Sequence, residues 1–172
     1  MRALLKRVLL ETVAVTLIAA FAAPYPSAVA QHVDHKSLGE SARDLSIGTW
    51  VLNRAKSKYR PGPVPLSVVR TYERHPDGIK VTIETVTESS KQVAEYIAEY
   101  DSMEYPVRGS SDIDALSLTA VDEYTAEIKL KHEGREIEFA RRVISFDGKT
   151  MTMTVALGDA IRNVAVYDKK EP

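Results

Sequence analysis

Ile47-Gly48-Thr49-Trp50-Val51-Leu52-Asn53 holds the only tryptophan of the chain, and its reading decides the fold. Apolar Ile47 and Val51 and the large ring of Trp50 suit a strand better than a helix, and Gly48 marks its start. Near the other end, Asn163 to Lys169 has the same strand character. Between them the sequence is a succession of short β-like segments. A meander of that kind leaves two open edges unless the sheet closes on itself, and closure makes its first and last strands neighbours.

The segments between are legible from alternation and turn chemistry. Leu66 to His75 is rich in β-branched and aromatic residues, and His75-Pro76-Asp77-Gly78 follows as a turn, because Asp-Gly supplies positive φ. Ile79, Val81 and Ile83 alternate with polar residues. Ser89-Ser90-Lys91 turns the chain, and Ala94, Tyr96, Ala98 and Tyr100 then share one face. Tyr105 to Arg108 is a short strand whose Pro106 fits an edge. Ala115 to Ala120, Tyr124 to His132 and Arg135 to Phe146 follow. In the last of these the apolar positions change parity between Ile137-Glu138-Phe139 and Ile144-Ser145-Phe146, which predicts a β-bulge near Ala140 to Arg142. Asp147-Gly148-Lys149 is the strongest hairpin signal. It leads into Thr150 to Leu157, with Met151 and Met153 on one face, and Gly158-Asp159 turns the chain into its last strand. The expectation is an all-β, up-and-down antiparallel barrel of about 8–10 strands over residues 47–172, with a sandwich as the structural alternative. Arg54 to Pro65, broken by Pro61, Pro63 and Pro65, reads as an extended loop.

Upstream of the barrel two features stand apart. Arg2, Lys6 and Arg7, the apolar run Thr12 to Ala23, and Ala28-Val29-Ala30 before Gln31 read as a secretory signal peptide over residues 1–30. Its apolar run is too short for an ordinary spanning helix. Residues 31–46 then form a polar tail and a short helix, because Ser37 and Glu40 have capping-box spacing and Leu38, Ala42 and Leu45 share a face. Cleavage leaves a mildly acidic chain of about 140 residues, enough for one domain with a real core. The chain has no cysteine. That excludes disulfides, thiolate chemistry and a lipid-anchored cysteine at the cleavage site. The expected product is exported, periplasmic or secreted, without a stable membrane anchor after cleavage. Without a basic patch, nucleic acid is not an expected partner.

Gly48-Thr49-Trp50 opening the first strand, the successive hairpins, Asp147-Gly148-Lys149 and the ending Val166-Tyr167-Asp168-Lys169 resemble the calycin superfamily of lipocalins and fatty-acid-binding proteins. The mature domain is similar in particular to uncharacterised exported bacterial lipocalin-like proteins. These begin Gly-Thr-Trp, carry a lysine-rich Pro-Gly-Pro loop (here Ala55 to Pro63) and contain Tyr-Pro-Val followed by a glycine (here Tyr105-Pro106-Val107-Arg108-Gly109). The resemblance covers Ile47 to Lys169 and implies a barrel with a cavity for an apolar small molecule such as a lipid, isoprenoid or pigment. It also implies that Gly48 and Trp50 close the barrel base under a basic side chain of the last strand, for which Arg162 and Lys169 are the candidates. Two departures stand out. The arginine of the Arg-x-Tyr motif with which fatty-acid-binding proteins clamp a carboxylate is here Ala165, and no room exists for a helical lid between the first strands.

Candidate pocket residues are Tyr96, Tyr100, Tyr124 and Tyr167, whose hydroxyls suit a pocket with few polar groups, and Met151 and Met153 as adaptable apolar lining. Arg141-Arg142 lies within a strand, so one of the pair faces inward. Arg142 is the candidate, with Glu84, Glu95 or Glu99 as internal partners. For each of these the competing role is plain core: tyrosines with hydroxyls at the rim, methionines as packing, arginine in a structural ion pair. His32, Asp34 and His35 make a poor metal site on a tail, and His75 and His132 lie far apart. Asp112 and Asp114 lack the rest of a calcium loop, and no nucleophile elbow, P-loop or dinucleotide fingerprint is present. No metal and no cofactor is expected. The sequence favours binding of a small hydrophobic ligand over catalysis, with no acid or base marked out for an enzyme at the barrel mouth. The other alternative is a non-catalytic interaction protein whose barrel is filled by its own side chains. An interior void of about 300 Å³ or more would favour the carrier.

Overall fold

A computed structural model describes residues 44–171. The segments expected to form a signal peptide and most of a short N-terminal helix lie outside the described residues. The part of the expected helical segment that is described, Asp44 to Ser46, is a turn closed by Ile47 N–H donating to Asp44 C=O at 3.2 Å.

Eleven antiparallel strands follow: β1 (Gly48–Leu52), β2 (Lys58–Tyr59), β3 (Ser67–His75), β4 (Gly78–Val86), β5 (Lys91–Ala98), β6 (Asp101–Pro106), β7 (Ala115–Ala120), β8 (Thr125–His132), β9 (Arg135–Ile144), β10 (Thr150–Leu157) and β11 (Ala160–Lys169). The expected count of about 8–10 is therefore low. The extra strand is β2, two residues that pair with β11 inside the segment expected to be loop throughout. Before it, Asn53 accepts a hydrogen bond from Lys56 N–H at 3.1 Å and caps one 3₁₀ turn, Arg54–Lys56.

Pairing runs β5-β4-β3-β1-β11-β10-β9-β8-β7-β6. β1 and β11 are neighbours in the register Trp50↔Lys169 and Leu52↔Tyr167, as closure of the meander requires. The two ends of this path, β5 and β6, are consecutive in sequence. They meet through one bridge, in which Glu95 and Arg108 exchange two backbone hydrogen bonds of 2.9 Å. The result is a nearly closed barrel. Gly109, at φ +74, completes the seam, because a Cβ there would collide with the Val93 carbonyl oxygen. The Tyr105-to-Gly109 stretch is thus the strip of chain that draws β6 toward β5.

Alternation sorts the faces as the strand period demands. Ile79 and Val81 on β4 and Met151 and Met153 on β10 are buried, with Lys80 and Thr152 between them less so, and Tyr96 and Ala98 are buried on β5 on either side of the half-buried Ile97. β9 departs from the expected pattern. Its register with β10 is unbroken from Phe139 to Ile144, and its irregularity against β8 falls between Glu136 and Glu138. The bulge therefore lies at Ile137 rather than at Ala140 to Arg142. It sets Ala140, Arg142 and Ile144 inward and leaves Phe146 89% exposed beyond the strand.

The base of the barrel is at Trp50, which is fully buried. Its Nε1–H donates to Ser46 C=O at 2.7 Å. The Lys169 ammonium lies 4.9 Å from the ring centroid and donates to Leu45 C=O at 3.2 Å. Lys169 is the cation over the tryptophan. Arg162, the other candidate, sits seven residues earlier on β11, where its carbonyl accepts from Arg60 N–H at 2.7 Å beside β2. A strand climbs about 3.3 Å per residue, which puts Arg162 far from the base.

Candidate ligand site

On every strand that lines it, the interior cavity touches the residues nearer the mouth: Ile83 on β4, Leu116 on β7, Ile128 and Leu130 on β8, Met153 and Val155 on β10. The residues two positions toward the base, among them Val81, Leu118 and Met151, are fully buried in the hydrophobic core. The barrel is therefore filled in its base half and open in its mouth half. The cavity measures about 100 Å³, less than the roughly 300 Å³ of a small-molecule site of ordinary size.

Of the expected pocket residues, Tyr96 and Met153 line this cavity. Tyr100, Arg142, Met151 and Tyr167 are interior but belong to the surrounding core. Tyr124 lies in the turn between β7 and β8, half-buried, with its ring 5.9 Å from that of Phe146. It is outside the cavity because it precedes β8 and so never enters the alternation that points Ala126 and Ile128 inward.

Arg142 faces inward and is 6% exposed, but its partner is not a glutamate. Glu84 pairs with Lys91 at 3.5 Å and Glu95 with Lys80 at 3.2 Å. Neither they nor Glu99 reach it, because all three belong to the outer face or a turn. Instead Arg142 Nη2–H donates to the Tyr100 hydroxyl at 2.7 Å, and that hydroxyl donates to Asp44 Oδ2 at 3.2 Å. The guanidinium also lies 5.5 Å from the Tyr72 ring centroid and 5.4 Å from that of Tyr100. Burial opposes its charge, yet the phenol oxygens of Tyr100 and Tyr72 outweigh that and shift its pKa upward, so it remains a cation. Burial likewise pushes the Tyr100 phenol up, against the pull of Arg142, which keeps it neutral and able to donate to Asp44. Nε of Arg142 is buried without a hydrogen-bond partner among the described residues.

A second interior arginine, Arg70 on β3, lines the cavity itself. Val68, Arg70 and Tyr72 share the inward face of β3, and the alternation Val68-Val69-Arg70-Thr71-Tyr72 already carries that signal in the sequence. Assigning faces along Leu66 to His75 would have found it. Arg70 Nε–H donates to the Tyr167 hydroxyl at 3.2 Å, and the guanidinium lies 5.4 Å from the Tyr167 ring centroid. Burial again opposes the charge, and Tyr167, Tyr72 and Tyr96 together overcome it. Ala165, where the fatty-acid-binding family has an arginine, is buried opposite Met153. The interior thus keeps an arginine against Tyr167, supplied by β3 rather than β11. No cluster of three or more metal-ligating side chains occurs among the described residues.

No family model matches the sequence. No curated protein matches it either. Solved structures do. An asparagine-to-alanine mutant of the fluorescent protein UnaG matches with a TM-score of 0.51 at 14% identity, over 75% of this chain and 99% of the other. Wild-type UnaG matches at 0.50 and 14%, over 72% and 96%. The REP1-NXSQ fatty acid transporter matches at 0.50 and 12%, over 73% and 96%. At these identities the likeness shows the fold alone, a nearly closed antiparallel β-barrel shared with these structures.

Proposed function

We propose that this chain is an exported barrel that binds a compact, mainly apolar small molecule in the mouth half of its interior. The observation that carries the reading is the lining of the cavity, aliphatic side chains and Met153 interrupted by only a few polar groups, in the manner of small-ligand sites; its volume falls below the roughly 300 Å³ expected of a carrier for an ordinary small molecule. The transporter of fatty acids among its structural neighbours supports a ligand of apolar character. Export is supported by the basic start, the apolar run and the Ala28-Val29-Ala30 site. The cavity volume narrows the cargo. A whole lipid, isoprenoid or pigment exceeds about 100 Å³, so the body held inside is small and anything longer projects through the mouth.

Titration with hexan-1-ol, followed by methyl NMR, tests this. Shifts are expected at Ile83, Leu116, Ile128 and Met153, with Leu52 and Met151 of the packed core unmoved, and a dissociation constant on the order of 1 mM or tighter. Absence of saturable shifts would favour the second reading that the filled base half supports, a barrel serving as an interaction scaffold.

A further inference from the structure

Each neighbouring pair along the path of strands from β5 to β6 is tied by a ladder of three or more residues. The ends of that path, β5 and β6, share only the bridge in which Glu95 and Arg108 exchange two backbone hydrogen bonds of 2.9 Å. This bridge lies against the cavity. Ala94 and Tyr96, on either side of Glu95, line it, and so does Val107, next to Arg108. Two positions toward the base β6 offers Pro106, which has no N–H to give, so the ladder cannot be completed there. Toward the mouth one side-chain hydrogen bond is added, from Gln92 Nε2 to Gly109 C=O at 3.2 Å. The wall of the site is weakest at this seam.

What these three bonds hold to β5 is the connection of β6 to β7, residues 107–114, whose Val107, Ser110 and Ile113 line the cavity. Its other side is fixed to β8 and the turn after it. Asp114 N–H donates to Lys131 C=O at 3.0 Å, and Glu133 N–H donates to Asp114 Oδ2 at 2.6 Å. Within the connection Val107 N–H donates to Asp114 C=O at 2.8 Å, drawing its two ends together, and Ser110 Oγ accepts from Asp112 N–H and Ile113 N–H at 3.2 Å each. A compact loop pinned at its neck moves as one piece. We propose that residues 107–114 are a flap, hinged where Asp114 meets β8, which lifts off β5 and opens the side of the cavity to admit and release the ligand. This rests on the reading that the cavity takes a small apolar molecule. The flap seats on β5 only with glycine at position 109, where φ is +74 and a Cβ would collide with the Val93 carbonyl oxygen. Gly109→Ala therefore pushes it off its seat, and a covalent link across the bridge holds it down.

The test measures the exchange rate of hexan-1-ol by methyl relaxation dispersion and its dissociation constant by calorimetry. Glu95→Cys with Arg108→Cys supplies the only two thiols of the chain, both on the outer face by strand alternation, and dibromobimane joins them. Linking is expected to slow hexan-1-ol exchange at least about tenfold relative to the same variant unlinked, with the dissociation constant changed less than about threefold, because a gate delays entry and exit alike. Gly109→Ala should speed exchange severalfold and weaken binding. The linked comparison decides the matter whether or not Gly109→Ala folds. Exchange equally fast with and without the link would overturn the flap and leave the apolar site standing, as would slower exchange in a folded Gly109→Ala chain. Absence of hexan-1-ol binding by the native chain would overturn the site and the flap together.

Discussion

Trp50→Ala is expected to lower the unfolding free energy by about 3–5 kcal/mol, the range for deleting a large buried aromatic. Three losses act together. The ring is fully enclosed, so its removal leaves a void that antiparallel neighbours on β3 and β11 cannot both collapse to fill. The Ser46 carbonyl loses the indole N–H that it accepts from at 2.7 Å. Lys169 loses the ring face beneath its ammonium, although it keeps the Leu45 carbonyl. Trp50→Phe separates these contributions: it retains most of the apolar volume and a ring face, and should cost about 1–3 kcal/mol. Urea unfolding followed by far-ultraviolet circular dichroism reads both. A loss below about 1 kcal/mol for the alanine variant would mean that Trp50 does not hold the closure together.

Tyr100→Phe should cost about 2–3 kcal/mol, a large effect for one oxygen atom. That oxygen joins Arg142 to Asp44, accepting from one and donating to the other. Without it the buried guanidinium loses a hydrogen bond to a charged group, worth roughly 1.5–3 kcal/mol. Arg142 then retains only the faces of Tyr72 and the new phenylalanine. The same reasoning makes the double variant informative. Replacing a buried ionic group by an apolar one of similar volume is often close to neutral, whereas stranding its charge is not. Tyr100→Phe with Arg142→Met is therefore expected to be more stable than Tyr100→Phe alone, with a coupling of about 1–2 kcal/mol in a double-mutant cycle. Additive losses would show that the two residues act independently.

Strand alternation and turn chemistry made most of the barrel legible. Ala94, Tyr96 and Ala98 on one face, Asp147-Gly148-Lys149 as a hairpin, and the approach of β11 to β1 all follow from local rules that the tertiary structure does not override. The site was less legible, for reasons that differ by residue. Arg142 was readable as an inward arginine, but its partner was not, because Tyr100 and Asp44 lie 42 and 98 positions away in sequence and meet it only across the closed barrel. Lys169 and Arg162 were indistinguishable as cover for Trp50 until register fixed which end of β11 lies at the base. Bulge placement failed because exposed Phe146 mimics an inward apolar residue. Arg70 was within reach of simple alternation along β3.

The claim at the centre of this account is that the mouth-half cavity is the ligand site, and filling that cavity tests it most directly. Ala140 lies buried on the cavity wall, and Ala140→Leu adds three carbons there. Calorimetric titration of the native chain and of this variant with hexan-1-ol, beside a urea unfolding curve for each, is the deciding measurement. The account predicts that the variant, still folded by its unfolding curve, loses binding at least about tenfold. Undiminished binding by a folded Ala140→Leu chain would place the site elsewhere and contradict it.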